Sequence, residues 1–139
     1  MSIQFALAPL FVQVLLVLIL LVWMGKERQG AIRRGEVHPR DIALREPKWP
    51  PKVMQVSNSF SNQFEIPTLF YVVTVVALIA RQADLLFVLL SWVFVISRYV
   101  HAFIHTTSNR VPRRGMIYGV GALALIALWI ELAVRLYLS

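Results

Sequence analysis

Long apolar runs separated by polar stretches set the pattern of this chain, and four of them approach membrane-spanning length. The first covers about residues 3–24 and is broken only by Gln4, Pro9 and Gln13. At about 1.5 Å per helical residue it crosses a hydrocarbon core about 30 Å thick. It is too long for a signal-peptide core, begins without basic residues and lacks a small-residue cleavage site, which predicts a retained membrane helix. The second is predicted from about residue 54 through Pro67 to residue 80. Pro67 removes a backbone donor and frees the carbonyl of Gln63, so a kink is expected there. The third, about 85–107, is apolar up to Ser97 apart from Ser91, then turns polar with Arg98, Tyr99, His101 and His105. The fourth covers about 116–138, with Glu131 and Arg135 at the i,i+4 spacing of an ion pair. The pattern predicts one domain over residues 1–139, an all-α integral membrane protein of four transmembrane helices in a left-handed bundle.

Composition agrees with this. Of 139 residues 58% are hydrophobic, above the roughly 45–50% of a soluble domain. The absence of cysteine removes disulfides and thiolate chemistry of the chain's own. A net charge of +7 could point to nucleic acid, but the basic residues stand beside apolar runs and no nucleic-acid motif is present. Their distribution reads instead as topology.

The stretch 25–52 holds eight Lys and Arg, among them Arg28, against Glu27, Glu36, Asp41 and Glu46. Its four prolines argue for a loop, with Trp49 as an interfacial anchor. The stretch 108–115 adds Arg110, Arg113 and Arg114. These two loops lie on one side of a four-span protein and carry eleven of its fourteen basic residues. The middle turn has only Arg81, expected to pair with Asp84. The positive-inside rule predicts cytoplasmic basic loops and both termini outside the cytoplasm.

Candidate chemistry gathers at the same end. Asn58, Asn62 and Glu65 follow i, i+4, i+7 spacing on one helix face, as do Arg98, His101 and His105 at i, i+3, i+7. Arg110, Arg114 and Tyr118 align if the fourth helix begins early. Polar groups at membrane depth need partners, which predicts that Glu65 and Arg98 approach each other directly or through one polar group. Simple neutralisation of Glu65 by Arg98 and a purely topological role for the loop arginines are the plainer readings. His101 and His105 have the spacing of a metal pair, but the only other histidine is loop residue His38, so no metal site is predicted. Gly115 and Gly119 form a small-xxx-small pair suited to close helix packing.

The blocks Asn62-Gln-Phe-Glu65-Ile-Pro67, Arg98-x-x-His101-x-x-x-His105 and Arg110-x-Pro112-x-Arg114-x-x-x-Tyr118, in this order along the whole chain, resemble the MAPEG family, the membrane-associated proteins in eicosanoid and glutathione metabolism. The likeness is closest to a bacterial branch. It implies a homotrimer in the bacterial inner membrane, with glutathione bound between subunits near the cytoplasmic face and both termini periplasmic. It implies that Arg28, Asn62, Glu65, Arg98, His101, His105 and Arg110 bind or frame glutathione, with Arg114 activating the thiol and Tyr118 beside it. Two positions depart from glutathione-using members: Ser61 stands where they usually carry arginine, and His105 where they carry tyrosine. A charge-assisted contact of the kind lost at Ser61 is worth about 1.5–3 kcal/mol. The implied activity is glutathione-dependent transferase, peroxidase or isomerase chemistry on lipophilic substrates arriving through the bilayer. A non-catalytic lipid-binding or scaffold protein, as the family has in the five-lipoxygenase-activating protein, is the alternative; a structural or transport-accessory membrane protein is a third.

Overall fold

The computed structural model describes residues 2–43 and 48–138. Loop residues Arg45, Glu46 and Pro47, part of the basic stretch, lie outside the described residues. The chain folds as α1 (Ile3–Arg33), a 3₁₀ turn (Pro39–Ile42), α2 (Pro51–Asn62), α3 (Ile66–Ile79), α4 (Leu85–Thr106) and α5 (Val111–Tyr137). Among the described residues there is no strand. Four spans are long and apolar enough to cross a membrane, α2 and α3 together forming the second.

Three boundaries differ from the sequence pattern. First, α1 does not stop at Met24 but continues to Arg33. Gly25 costs a helix only about 1 kcal/mol, and the residues beyond it are mostly good helix formers. The Trp23 indole N–H donates to Glu27 one turn on, at 3.2 Å. The helix closes where Gly35 adopts φ +73 and Glu36 N–H bonds back to the Ala31 carbonyl. Second, the bend at Pro67 is a full interruption. Gln63, Phe64 and Glu65 each bond three residues back rather than four, and α3 restarts with Pro67 in its first turn, where its missing N–H costs nothing. Third, α5 begins at Val111, five residues early, with Pro112 in its first turn.

The main core lies between α3, α4 and α5, where Phe70 stacks on Phe94 at 4.7 Å and packs with Val73, Phe87, Leu125 and Leu128. α1 joins through Leu16 and Leu20 against Ala102 of α4, and through the Tyr99 hydroxyl, which donates to the Val12 carbonyl at 2.6 Å. A smaller cluster of Ala31, Val37 and Val53 fastens the long loop beneath α1 and α2. Large apolar side chains such as Phe11, Leu123 and Ile79 face outward, as a lipid solvent allows.

Gly115 and Gly119 have no atom within 4 Å of where a Cβ would stand. The close approach expected of them occurs at Gly121, where such a Cβ would meet Ser97 Oγ at 2.5 Å. At the end away from the basic loops Asp84 does not pair with Arg81. It caps α4 by accepting from the Phe87 N–H at 3.0 Å and pairs with Arg135, which also holds Glu131 at 3.0 Å. The i,i+4 pair read from the sequence is thus part of a three-residue cluster. Arg81 instead ends α3 in a left-handed conformation, φ 56, letting Gln82 N–H reach the Ala77 carbonyl.

Candidate functional site

A cavity of about 520 Å³ opens at the basic end of the bundle. It is lined by Asn58, Ser61, Asn62 and Glu65 from the end of α2 and the turn after it, His101 and His105 from α4, and Arg114, Gly115 and Tyr118 from α5. The early start of α5 brings Arg114 and Tyr118, one helical turn apart, to the same wall.

Arg98 sits behind this lining. It is among the largest fully buried side chains, 1% exposed, and donates through Nη2 to Asn62 Oδ1. Asn62 in turn donates through Nδ2 to Glu65 Oε2 at 2.9 Å. The acid and the guanidinium are therefore linked through one intervening polar group. Glu65 itself is exposed to the cavity mouth. The Arg98 guanidinium also stands 5.7 Å from the Tyr118 ring centroid, a cation–π arrangement that helps hold a cation in an apolar setting.

His101 and His105 are both buried, and their rings meet edge to face at 5.5 Å. His101 also packs on Tyr118 at 5.6 Å. The Nδ1 atom of each has no hydrogen-bond partner among the described residues. No group of three or more His, Cys, Asp or Glu able to hold a metal comes together among those residues either.

Arg114 is oriented from the loop before it. Its Nη1 donates to Asn109 Oδ1 at 2.7 Å, and Asn109 holds φ +51, a conformation asparagine tolerates better than most residues.

Two residues read as site members stand elsewhere. Arg28 lies on the other flank of α2, donating to Ser57 Oγ at 3.2 Å and stacked 5.3 Å from the Trp49 ring centroid. It lines a second cavity of about 490 Å³ that shares Asn58 and Ser61 with the first. Arg110 is exposed at the N-cap of α5 and does not line either cavity.

Sequence reasoning gave too little weight to Gln13 and Gln63. Both are fully buried and hydrogen-bonded to each other at 3.0 Å. The available signal was Gln13, an amide in the middle of the first apolar run, where such a group rarely persists without a partner.

A four-span, all-helical membrane protein with a polar cavity cut into its basic end is the class these observations define. The chain belongs to the MAPEG family, whose model matches residues 6–134, nearly its whole length. That family includes glutathione-dependent transferases and related proteins. No curated protein and no solved structure matches the chain.

Proposed function

We propose that the cavity binds glutathione, or a closely similar anionic thiol, and that the protein is a glutathione-dependent enzyme acting on lipophilic electrophiles. The observation that carries this reading is the gathering of one carboxylate, two carboxamides, one guanidinium, two imidazoles and a phenol around a single open cavity. The ammonium, amide bonds and anionic sulfur of such a tripeptide match this carboxylate, these carboxamides and this guanidinium, and its two carboxylates call for further donors. Its volume of about 520 Å³ lies within the range of small-molecule sites.

In this reading Glu65 takes the ammonium, Asn58 and Asn62 take peptide groups, and His101 and His105 border the backbone. Arg98 acts from behind by fixing Asn62. Arg114 stands beside the sulfur, where its positive charge favours the thiolate over the thiol. Tyr118 donates a hydrogen bond to the anionic sulfur. Glutathione supplies the nucleophile: its thiol proton leaves to water, the sulfur forms a bond to an electrophilic carbon, and the leaving group departs with its electron pair.

Membership of the MAPEG family, whose proteins are typically membrane-embedded oligomers, supports a homotrimer in which neighbouring copies complete the sites. The positive-inside rule supports a cytoplasmic position for the basic loops and for the cavity beside them.

The test measures glutathione binding by calorimetry in mild detergent, beside conjugation of a lipophilic halo-nitroarene, on the wild type and Arg114→Ala. The expected result is binding by both, with turnover reduced about 10²-fold in Arg114→Ala, the size seen when one charge-stabilising donor is removed. Absence of binding at millimolar glutathione ends the proposal. Turnover unchanged in Arg114→Ala removes Arg114 from the chemistry, and binding without turnover turns the reading to a scaffold.

A further inference from the structure

We propose that Gln13 is a positioning residue for the cavity, holding through Gln63 the non-helical turn that presents Asn62 and Glu65. This deepens the glutathione reading and rests on it for its consequence, though not for its geometry.

The argument begins at the helix break. In an unbroken α2 the Gln63 N–H would bond to the Ser59 carbonyl, but it bonds to Phe60 instead, at 3.0 Å. Gln63 answers with its own side chain, whose Nε2 donates to the Ser59 carbonyl at 3.0 Å. Its Oε1 then accepts from Gln13 Nε2, also at 3.0 Å. A carbonyl can only accept, so the orientation of both amides follows in one direction from Ser59. Gln13 and Gln63 are each 0% exposed.

The helix carrying Gln13 is itself anchored. At the preceding residue the Val12 carbonyl accepts from Tyr99, the immediate neighbour of Arg98 on α4. The turn bearing Asn62 and Glu65 is thus tied to α1 through Gln63, and to α4 through Arg98. Gln13 does not line the cavity.

Stability alone gives little reason for this pair. The Gln13 Oε1 is buried without a partner among the described residues, and replacing both members of a buried polar pair by apolar groups is often neutral or stabilising. What an apolar pair cannot do is hold the Ser59 carbonyl and fix the turn.

The experiment compares full-length wild type, Gln13→Leu, the double variant Gln13→Leu/Gln63→Leu, and Gln13→Glu, whose neutral carboxylic acid keeps a donor toward Gln63. Three readouts are taken in detergent: thermal stability, the glutathione Kd, and deuterium uptake of a peptide covering residues 59–66. The double variant, which leaves the Ser59 carbonyl unpaired, is expected to stay folded with a modestly lower Tm, weaken glutathione binding at least tenfold and lose protection in that peptide. Gln13→Glu is expected to stay within about twofold of wild-type Kd, because it preserves the hydrogen bond. A double variant with wild-type Kd and unchanged exchange overturns the proposal. So does a loss of binding that Gln13→Glu fails to rescue. If the wild type itself binds no glutathione, the functional reading fails, and the exchange data alone decide whether Gln13 holds the turn.

Discussion

The guanidinium of Arg98 reaches the carboxylate of Glu65 through one side chain, that of Asn62. Arg98 is buried while Glu65 is exposed, so the two ends of this chain differ in what their loss costs. Asn62→Leu strands a buried cation and is expected to lower stability by about 3–5 kcal/mol. Glu65→Gln keeps a hydrogen-bonding group beside Asn62 at an exposed position and is expected to cost about 1 kcal/mol or less. Thermal unfolding in detergent checks both. Equal losses would show that Arg98 depends on Glu65 as much as on Asn62.

Asp84 gives a pH prediction. Burial raises its pKa, but the hydrogen bond with Glu131, the Phe87 amide and the charge of Arg135 outweigh this and hold the carboxyl below its usual range. A carboxylate with a depressed folded-state pKa stabilises the fold fully above its unfolded value of about 3.9. That contribution disappears as pH falls through the lower, folded value. The part of the stability difference between wild type and Asp84→Asn that Asp84 itself supplies is therefore expected to shrink toward zero as pH falls below about 4. Tm measured against pH for both proteins tests this, and a difference that grows below about pH 4 contradicts the sign.

Two glycine substitutions should act in opposite directions. A Cβ at Gly121 collides with Ser97 Oγ, which is already bonded to the Phe94 carbonyl at 2.6 Å, so Gly121→Ala forces α4 and α5 apart or rotates Ser97. The expected cost is about 1–3 kcal/mol. At Gly25, inside α1, a Cβ meets nothing within 4 Å, so Gly25→Ala should stabilise by about 0.5–1 kcal/mol through helix propensity. Thermal melts of the two variants give the answer.

Orientation is checked with reporters. A fusion at the C-terminus is expected to report a non-cytoplasmic location, and one inserted within residues 36–43 a cytoplasmic location. Any other pairing reverses the placement of the cavity.

Assembly is checked by mass. Native mass spectrometry from mild detergent is expected to give three copies of the chain, and a monomer alone would leave the cavity without a neighbour to complete it.

The membrane class and the number of spans were legible in the sequence, because a hydrocarbon solvent demands long apolar runs and leaves few alternative structures. So were most of the polar groups that line the cavity: helical periodicity places Asn58 and Asn62 on one face, and likewise His101 and His105, whereas Glu65 reaches the cavity from the non-helical turn after α2. Tertiary structure decided what stood opposite these faces. The extent of α1 beyond Gly25 adds to local propensity the packing of Ala31 against Val37 and Val53, residues that propensity does not relate to α1. The side chain at the interruption, Gln63, finds its donor in Gln13, fifty residues earlier. Asp84 meets Arg135 rather than Arg81 because α5 returns along α4 to the same end of the bundle. Arg110 stays outside the cavity while Arg114 enters it, since α5 starts at Val111 and leaves Arg110 as its extended N-cap. Periodicity ranks residues by face; which face meets which depends on contacts between residues far apart in the chain, and single-sequence patterns carry no record of those.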